Sequence, residues 1–360
     1  MSLYRTSSSC LPQPVNGAHG VSLVELLVGM AIGLLTVLVI TQVFLVSEQY
    51  RRIPTSGANA HVNGVLALDA LQRDIRQAGY GLGPRDWLGC QTEDSSDAAK
   101  VGLSGTVLAP VVITPGDSDH PSDAVTVLAS GSSDAAMPIQ LAEDHAVSGT
   151  AFITATAAGL SASDWMLVTD GSTCEVFQLG SITTIGSQYS LGHASGMAAF
   201  ADGSVLSDLG AIPVYRRWSI DADRAVLQMT DLATTAPSAV DAYPEIVLMR
   251  ALYGKDTNSD ATIDTYEATQ PSVSDWGNVL AVRLVLVARS PHYDKEAVTT
   301  DAPEWVLGSA TVSGAHACNG DAESQCLSLD LEHVGDDWQH YRYQLLDTMI
   351  PMRNLLWNAG

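Results

Sequence analysis

The chain has 360 residues and a net charge of -23, with 40 Asp or Glu against 17 Lys or Arg. A field of that sign repels phosphate backbones and anionic lipid, which excludes non-specific nucleic-acid binding. Hydrophobic residues at 46% with only 16% charged exclude a disordered chain and leave room for one large domain or two modest ones.

Taken in chain order, the first element is an apolar run. Residues 26 to 47 carry no charged side chain, and as a helix they extend about 33 Å, enough to span a hydrocarbon core of about 30 Å. A cleavable secretory signal has a shorter apolar region, about 7 to 15 residues, whereas this one continues to "VSEQYRR". A plain single-pass anchor leaves Glu25 unexplained. A carboxylate at the entrance to a membrane helix costs free energy and by default marks function.

Pro54 predicts a kink or break around residues 53 to 57. The helical pattern then resumes, with Val62, Val65, Leu68, Leu71, Ile75 and Ala78 expected to dock on a sheet and Gln72, Arg73, Asp74 and Arg76 mostly outward. Gly79, Gly81, Gly83 and Pro84 end it. Beyond residue 105, runs rich in β-branched or aromatic residues at 124–130, 165–170, 174–182, 214–221, 225–231, 279–290 and 340–350 predict strands. Residues 131–163 and 183–212 are the least regular and are expected to form loops or a small insertion. The fold class expected is therefore α+β, a long N-terminal helix packed on a mostly antiparallel β head.

Five cysteines divide unevenly about the apolar run. Cys10 precedes it, and Cys90, Cys174, Cys318 and Cys326 come after it. If the run crosses a membrane, the last four reach the oxidising side and suffice for two bridges. No CxxC pair or histidine cluster supports a metal site instead. The stretch "DTNSDATIDTYE" places Asp256, Asn258, Asp260, Thr262, Asp264 and Glu267 at positions 1, 3, 5, 7, 9 and 12 of a calcium loop, where hard oxygen ligands at alternate residues wrap the ion. Ala261 stands where glycine normally makes the sharp turn, at a cost of about 1 to 2 kcal/mol. No GxSxG, HExxH, Walker loop or GxGxxG occurs, and His316, His333 and His340 read as surface or core residues, so no enzyme is expected.

The N-terminal residues carry a resemblance. A polar leader ending in Gly20, then Val21, Ser22-Leu23-Val24-Glu25-Leu26 and an unbroken apolar helix, resembles the class III signal of type IV pilins and pseudopilins. The stretches "DIRQAGYGLGP", "LVTDGSTCEVFQL" and "YRYQLLDTMIPMRNLLW" are similar to the PilW group of minor pilins. The resemblance implies cleavage by a prepilin peptidase after Gly20 and N-terminal methylation of Val21. It also implies pairing of Glu25 with the amine of a neighbouring subunit, where a dry filament core leaves neither charge tolerable alone.

A pilin-like organisation is implied as well: leader 1–20, transmembrane or filament-core helix 21–53, amphipathic half-helix 54–84 and β-rich head 85–360. The implied function is a non-catalytic minor pilin that initiates or caps a type IV pilus. Other minor pilins, the major pilin and a tip adhesin are its implied partners. Before assembly it would sit in the inner membrane with its head in the periplasm, and afterwards at the cell surface. Order and local context favour Cys90 with Cys174 and Cys318 with Cys326, and calcium is the one cofactor expected. Two alternatives stay open at this point: a minor pseudopilin of a type II secretion system, and a signal-anchored surface binding protein.

Overall fold

The computed structural model describes residues 22–84, 87–134 and 137–357; for residues 45–58, 274, 322, 356 and 357 it describes the backbone course alone. The chain divides into two compact units, one ending at Thr55 and the other beginning at Ser56. Helix α1 (Leu23–Gln77) belongs to both. Its helical assignment continues through residues 53–57, so the break expected at Pro54 is not found. Proline deletes one backbone bond of the ladder, and the bonds on either side suffice to carry the helix on.

In the first unit, Leu23–Phe44 is long and apolar enough to cross a membrane, and its side chains are exposed among the described residues. Thr36 and Thr41 each donate a hydroxyl to the carbonyl four residues back, Ile32 and Val37, both at 2.7 Å. Their polarity is thereby satisfied inside the helix, as a hydrocarbon setting demands.

In the second unit, the buried stripe of α1 is Ala60, Gly64, Ala67, Leu71, Asp74, Ile75 and Ala78. The expected stripe is right at its C-terminal end and out of phase at the other, because Val62 and Val65 are 53% and 43% exposed. Small residues face the sheet so that the helix backbone can come close. A Cβ added at Gly64 would stand 2.3 Å from Leu346 Cδ1 and 3.2 Å from Ala288 Cβ. Asp74, expected outward, is turned inward and 8% exposed. It accepts the Trp218 indole N–H at 2.9 Å and a guanidinium N–H of Arg216 at 3.3 Å, so a buried carboxylate fixes the helix to the strand opposite.

After a short helix α2 (Ser96–Lys100), capped by the Ser95 hydroxyl, the strands begin. β1 (Val111–Thr114) and β2 (Ala124–Ala129) pair antiparallel. The chain then departs through β3 (Ile139–Gln140), β4 (Ala151–Thr154), β5 (Trp165–Thr169), β6 (Cys174–Gln178), β7 (Ser181–Ile185), β8 (Gln188–Gly192) and β9 (Val205–Gly210). These make two sheets of their own, ordered β3-β9-β5-β6 and β4-β8-β7, around an apolar core of Phe152, Met166, Phe177, Leu191 and Phe200. The segments expected to be irregular thus contain strands.

The chain returns as β10 (Val214–Asp221), β11 (Val226–Asp231) and β12 (Ala239–Pro244), completing the sheet β1-β2-β10-β11-β12. β13 (Ile246–Lys255), β14 (Thr265–Glu267) and β15 (Val279–Arg289) come next, then a small sheet of β16 (Glu304–Gly308), β18 (His316–Cys318) and β19 (Asp321–Ser328). With β17 (Thr311–Val312) and β20 (Tyr343–Pro351) they complete the order β17-β14-β13-β15-β20, antiparallel except at β14-β17. A last helix, α3 (Arg353–Trp357), ends the fold.

Two buried groups couple the large sheets. Tyr253 Oη accepts from Ile113 N at 2.8 Å and donates to Val111 O at 3.1 Å. Asp123, 3% exposed, accepts from Gly116 N, Ala251 N and Arg250. One core runs between these sheets and the stripe of α1.

Candidate assembly helix and its seat

Gly20 and Val21 lie outside the described residues. Glu25 is described: it occupies the first turn of α1 and is exposed. A carboxylate there favours the positive end of the helix dipole by about 0.3 to 1 kcal/mol, which stabilises the turn without consuming its capacity for a partner.

The seat of the second half of α1 is formed by β15 and β20 on one side and β10 on the other. Leu346 and Ala288 meet Gly64, the Gln72 amide donates to Thr348 Oγ1 at 2.7 Å, and Trp218 and Arg216 hold Asp74. The helix end is closed from the far C-terminus. Asn354 Nδ2 lies within hydrogen-bond reach of Arg76 O, Gln77 O and Ala78 O, at 3.4, 3.1 and 3.0 Å, satisfying carbonyls that a helix leaves without partners. Gly79 comes next at φ +82°, and a Cβ there would meet Pro110 at 3.2 Å. Sequence reasoning missed Gly64 and Asn354. Gly64 lies on the same face as Leu71 and Ala78 at 100° per residue, whereas nothing local marks Asn354 as a cap 276 to 278 residues away.

The candidate calcium loop is the turn between β13 and β14. Asp256, 7% exposed, accepts backbone N–H groups from Asn258, Ser259 and Asp260 on Oδ1 and from Ala261 on Oδ2. Asp264 accepts from Thr257 N, Thr257 Oγ1 and the Asn258 amide. Asp260 is held by the Thr262 hydroxyl and N–H, which keep its carboxyl below the usual range. Ala261 does adopt the left-handed conformation, φ +65°. Glu267, however, pairs with the Lys255 ammonium at 2.8 Å. Among the described residues no three His, Cys, Asp or Glu side chains gather as a metal site.

Cys318 and Cys326 form a disulfide, Cα atoms 5.0 Å apart, closing the β18-β19 hairpin. Cys90 and Cys174 are likewise brought together, Cα atoms 6.1 Å apart across 84 residues. Each of the three histidines singled out in the sequence has its own partner: His316 faces Glu304 at 3.3 Å, His333 the carbonyl of Val247 at 3.1 Å and His340 that of Asp294 at 2.8 Å.

Residues 219–354 match the family model of PilW, the type IV pilus-assembly protein W. Comparison with curated proteins yields no match, and comparison with solved structures yields none. The matched segment starts inside β10 and ends on Asn354, so it takes in the sheet under α1 and the cap on its end. The apolar Leu23–Phe44 is consistent with membrane anchoring. Residues 219–354 are thus similar to PilW, and this match supports a part in type IV pilus assembly.

Proposed function

We propose that the protein is a minor pilin, a non-catalytic subunit cut after Gly20 by a prepilin peptidase and assembled through α1 with other minor pilins and the major pilin. The observation that carries this reading is the PilW match over residues 219–354. In support, that segment supplies β15, β20 and the Asn354 cap against which the second half of α1 lies. The head would face the periplasm and then the cell exterior, which suits the Cys318–Cys326 bridge. N-terminal sequencing of protein from cells with active peptidase should begin at Val21, and Gly20→Leu should leave a precursor about 20 residues longer. Co-purification from membranes should recover other minor pilins. Wild-type protein beginning at Met1, alone in its membrane extract, would instead fit a signal-anchored surface protein.

We further propose calcium as a stabilising ion of the β13-β14 turn, with Asp256, Asn258, Asp260, Thr262, Asp264 and Glu267 supplying oxygens. The left-handed Ala261 favours it, because that is the backbone conformation position 6 of such a loop requires. Binding has to draw Glu267 away from Lys255, which predicts modest affinity. Ten-fold excess of calcium over Kd stabilises by about 1.4 kcal/mol, so full-length protein in detergent should melt about 2 to 4 °C higher in millimolar calcium than in chelator. Glu267→Ala should abolish the difference, and Lys255→Met or Ala261→Gly should enlarge it. Identical melting of wild type and Glu267→Ala at every calcium concentration would leave a self-satisfied acidic turn.

A further inference from the structure

The module of β3 to β9 contains two histidines on which neither the pilus reading nor the calcium loop depends. His145 and His193 are 5% and 9% exposed, and their Nε2 atoms face each other at 3.1 Å. Each ring turns its other nitrogen to a backbone carbonyl, His145 Nδ1 to Ala198 O at 3.1 Å and His193 Nδ1 to Ala194 O at 2.6 Å. A carbonyl only accepts, so both Nδ1 atoms must carry hydrogen. Two neutral rings of that tautomer would then oppose two lone pairs across 3.1 Å. The contact becomes a hydrogen bond only when one more proton lies between the nitrogens, which makes three N–H protons on two rings and one positive charge.

We propose that His145 and His193 bind one shared proton as a pair, and that this makes the β3–β9 module a proton-sensing element whose stability is greatest while the pair is singly charged.

The surroundings suit one cation. The Phe152 ring lies 4.3 Å from His145 and 4.5 Å from His193, and Phe177 lies 5.4 Å from His193, so apolar rings exclude water around the pair. Glu175 on β6 accepts the N–H of Ala198, the residue whose carbonyl holds His145. Burial raises its pKa, and the charges of Glu93 and His145 act on it in opposite directions. Other titratable groups lie on the surrounding elements. Glu143, Asp144 and Asp202 are exposed or partly so, Tyr189 on β8 is half-buried, and Asp208 on β9 accepts from Gly210 N. No third donor joins the pair to make a metal site among the described residues.

A second proton would set N–H against N–H. Burial, and then the charge of His145, lower the pKa of His193, which opposes a second proton, whereas the first proton completes the hydrogen bond between the two Nε2 atoms. In the unfolded chain both rings titrate near about 6.5. Below that pH the unfolded state binds two protons and the folded state one, so stability falls as pH falls. Above it the unfolded state binds none while the folded state keeps one, so stability falls as pH rises. The contribution therefore peaks near about pH 6.5.

The test uses the full-length chain in detergent micelles. With nitrogen-15 histidine, His145 and His193 together should show three protonated ring nitrogens, with one proton shared between the Nε2 pair, at about pH 6.5. Hydrogen-exchange protection in residues 139–206 should be maximal there and fall by up to about ten-fold per pH unit on either side, with the β13-β15-β20 sheet unresponsive. His193→Gln should flatten the profile, because its amide donates to His145 Nε2 without an added proton, and His145→Gln should do the same. Two independently titrating neutral rings, or protection changing in one direction only across about pH 5 to 8, would overturn the proposal. So would a profile unchanged in both variants. If neither variant folds, the wild-type nitrogen spectrum decides by itself.

Discussion

Glu25→Ala should leave the protein in the membrane at wild-type level and remove it from assembled pili. Insertion does not suffer, because deleting a carboxylate at the entrance of an uncharged helix lowers the cost of entering lipid. On the proposed minor-pilin reading, assembly suffers because the amine of Val21 in a neighbouring subunit would then enter a dry helix bundle without its counter-charge. Removing one partner of a buried ion pair costs about 3 to 5 kcal/mol, which corresponds to a loss of more than about a hundred-fold in incorporation. Glu25→Gln keeps the shape and loses the charge, so it should fail as Glu25→Ala does. The measurement is the ratio of this subunit in sheared pili to that in membranes. A ratio equal to wild type in both variants would remove the account of the carboxylate, leaving Glu25 as a favourable first-turn residue of α1.

How far the sequence is legible depends on how many residues each feature spans. The apolar run 26 to 47 needs only a count of uncharged positions, and α1 covers it. The stripe of α1 needs phase as well as period. Val62, Val65, Leu68 and Leu71 succeed one another by three, and each such step rotates about 60° short of a full turn. Val62 therefore lies opposite Leu71, and the true face uses Ala60, Gly64 and Ala67. Charge argues for an outward Asp74, although the residue shares a face with Leu71 and Ala78. What the charge does not reveal is the pair Trp218 and Arg216 on β10, which receives it.

Similar limits apply to the inserted module. β9 carries Ser207 and Asp208 inside a wholly buried strand, so it shows neither alternation nor an unbroken apolar run. β7, "SITTI", is mostly exposed and offers no buried face to read. The His145–His193 contact joins residues 48 apart, and no spacing rule covers a pair of that kind. By contrast, the long strand β15 is dense in Val and Leu, and its burial on both faces shows as nearly continuous apolar sequence; β13, equally apolar and buried, is not among the expected strands.

The largest effect on stability should come from the pairing of Cys90 with Cys174. Their Cα atoms are 6.1 Å apart, inside the range a disulfide spans, and both are buried. The contact ties the segment after α1 to β6, beside Glu93 N donating to Cys174 O at 2.8 Å. In the chain-entropy account, a closed loop of 84 residues restricts the unfolded chain by about 4 to 5 kcal/mol, whereas the 8-residue separation of Cys318 and Cys326 gives about 2 to 3 kcal/mol. Denaturant titration of the full-length chain should therefore show Cys90→Ala/Cys174→Ala losing more than Cys318→Ala/Cys326→Ala, with the first double variant unfolding at the lower midpoint. Peptide mapping without reductant should recover the peptide of Cys90 linked to that of Cys174. Free thiols at both positions in oxidised protein would remove the pairing, and a larger loss in the Cys318/Cys326 variant would show that local hairpin geometry, not loop closure, sets the order.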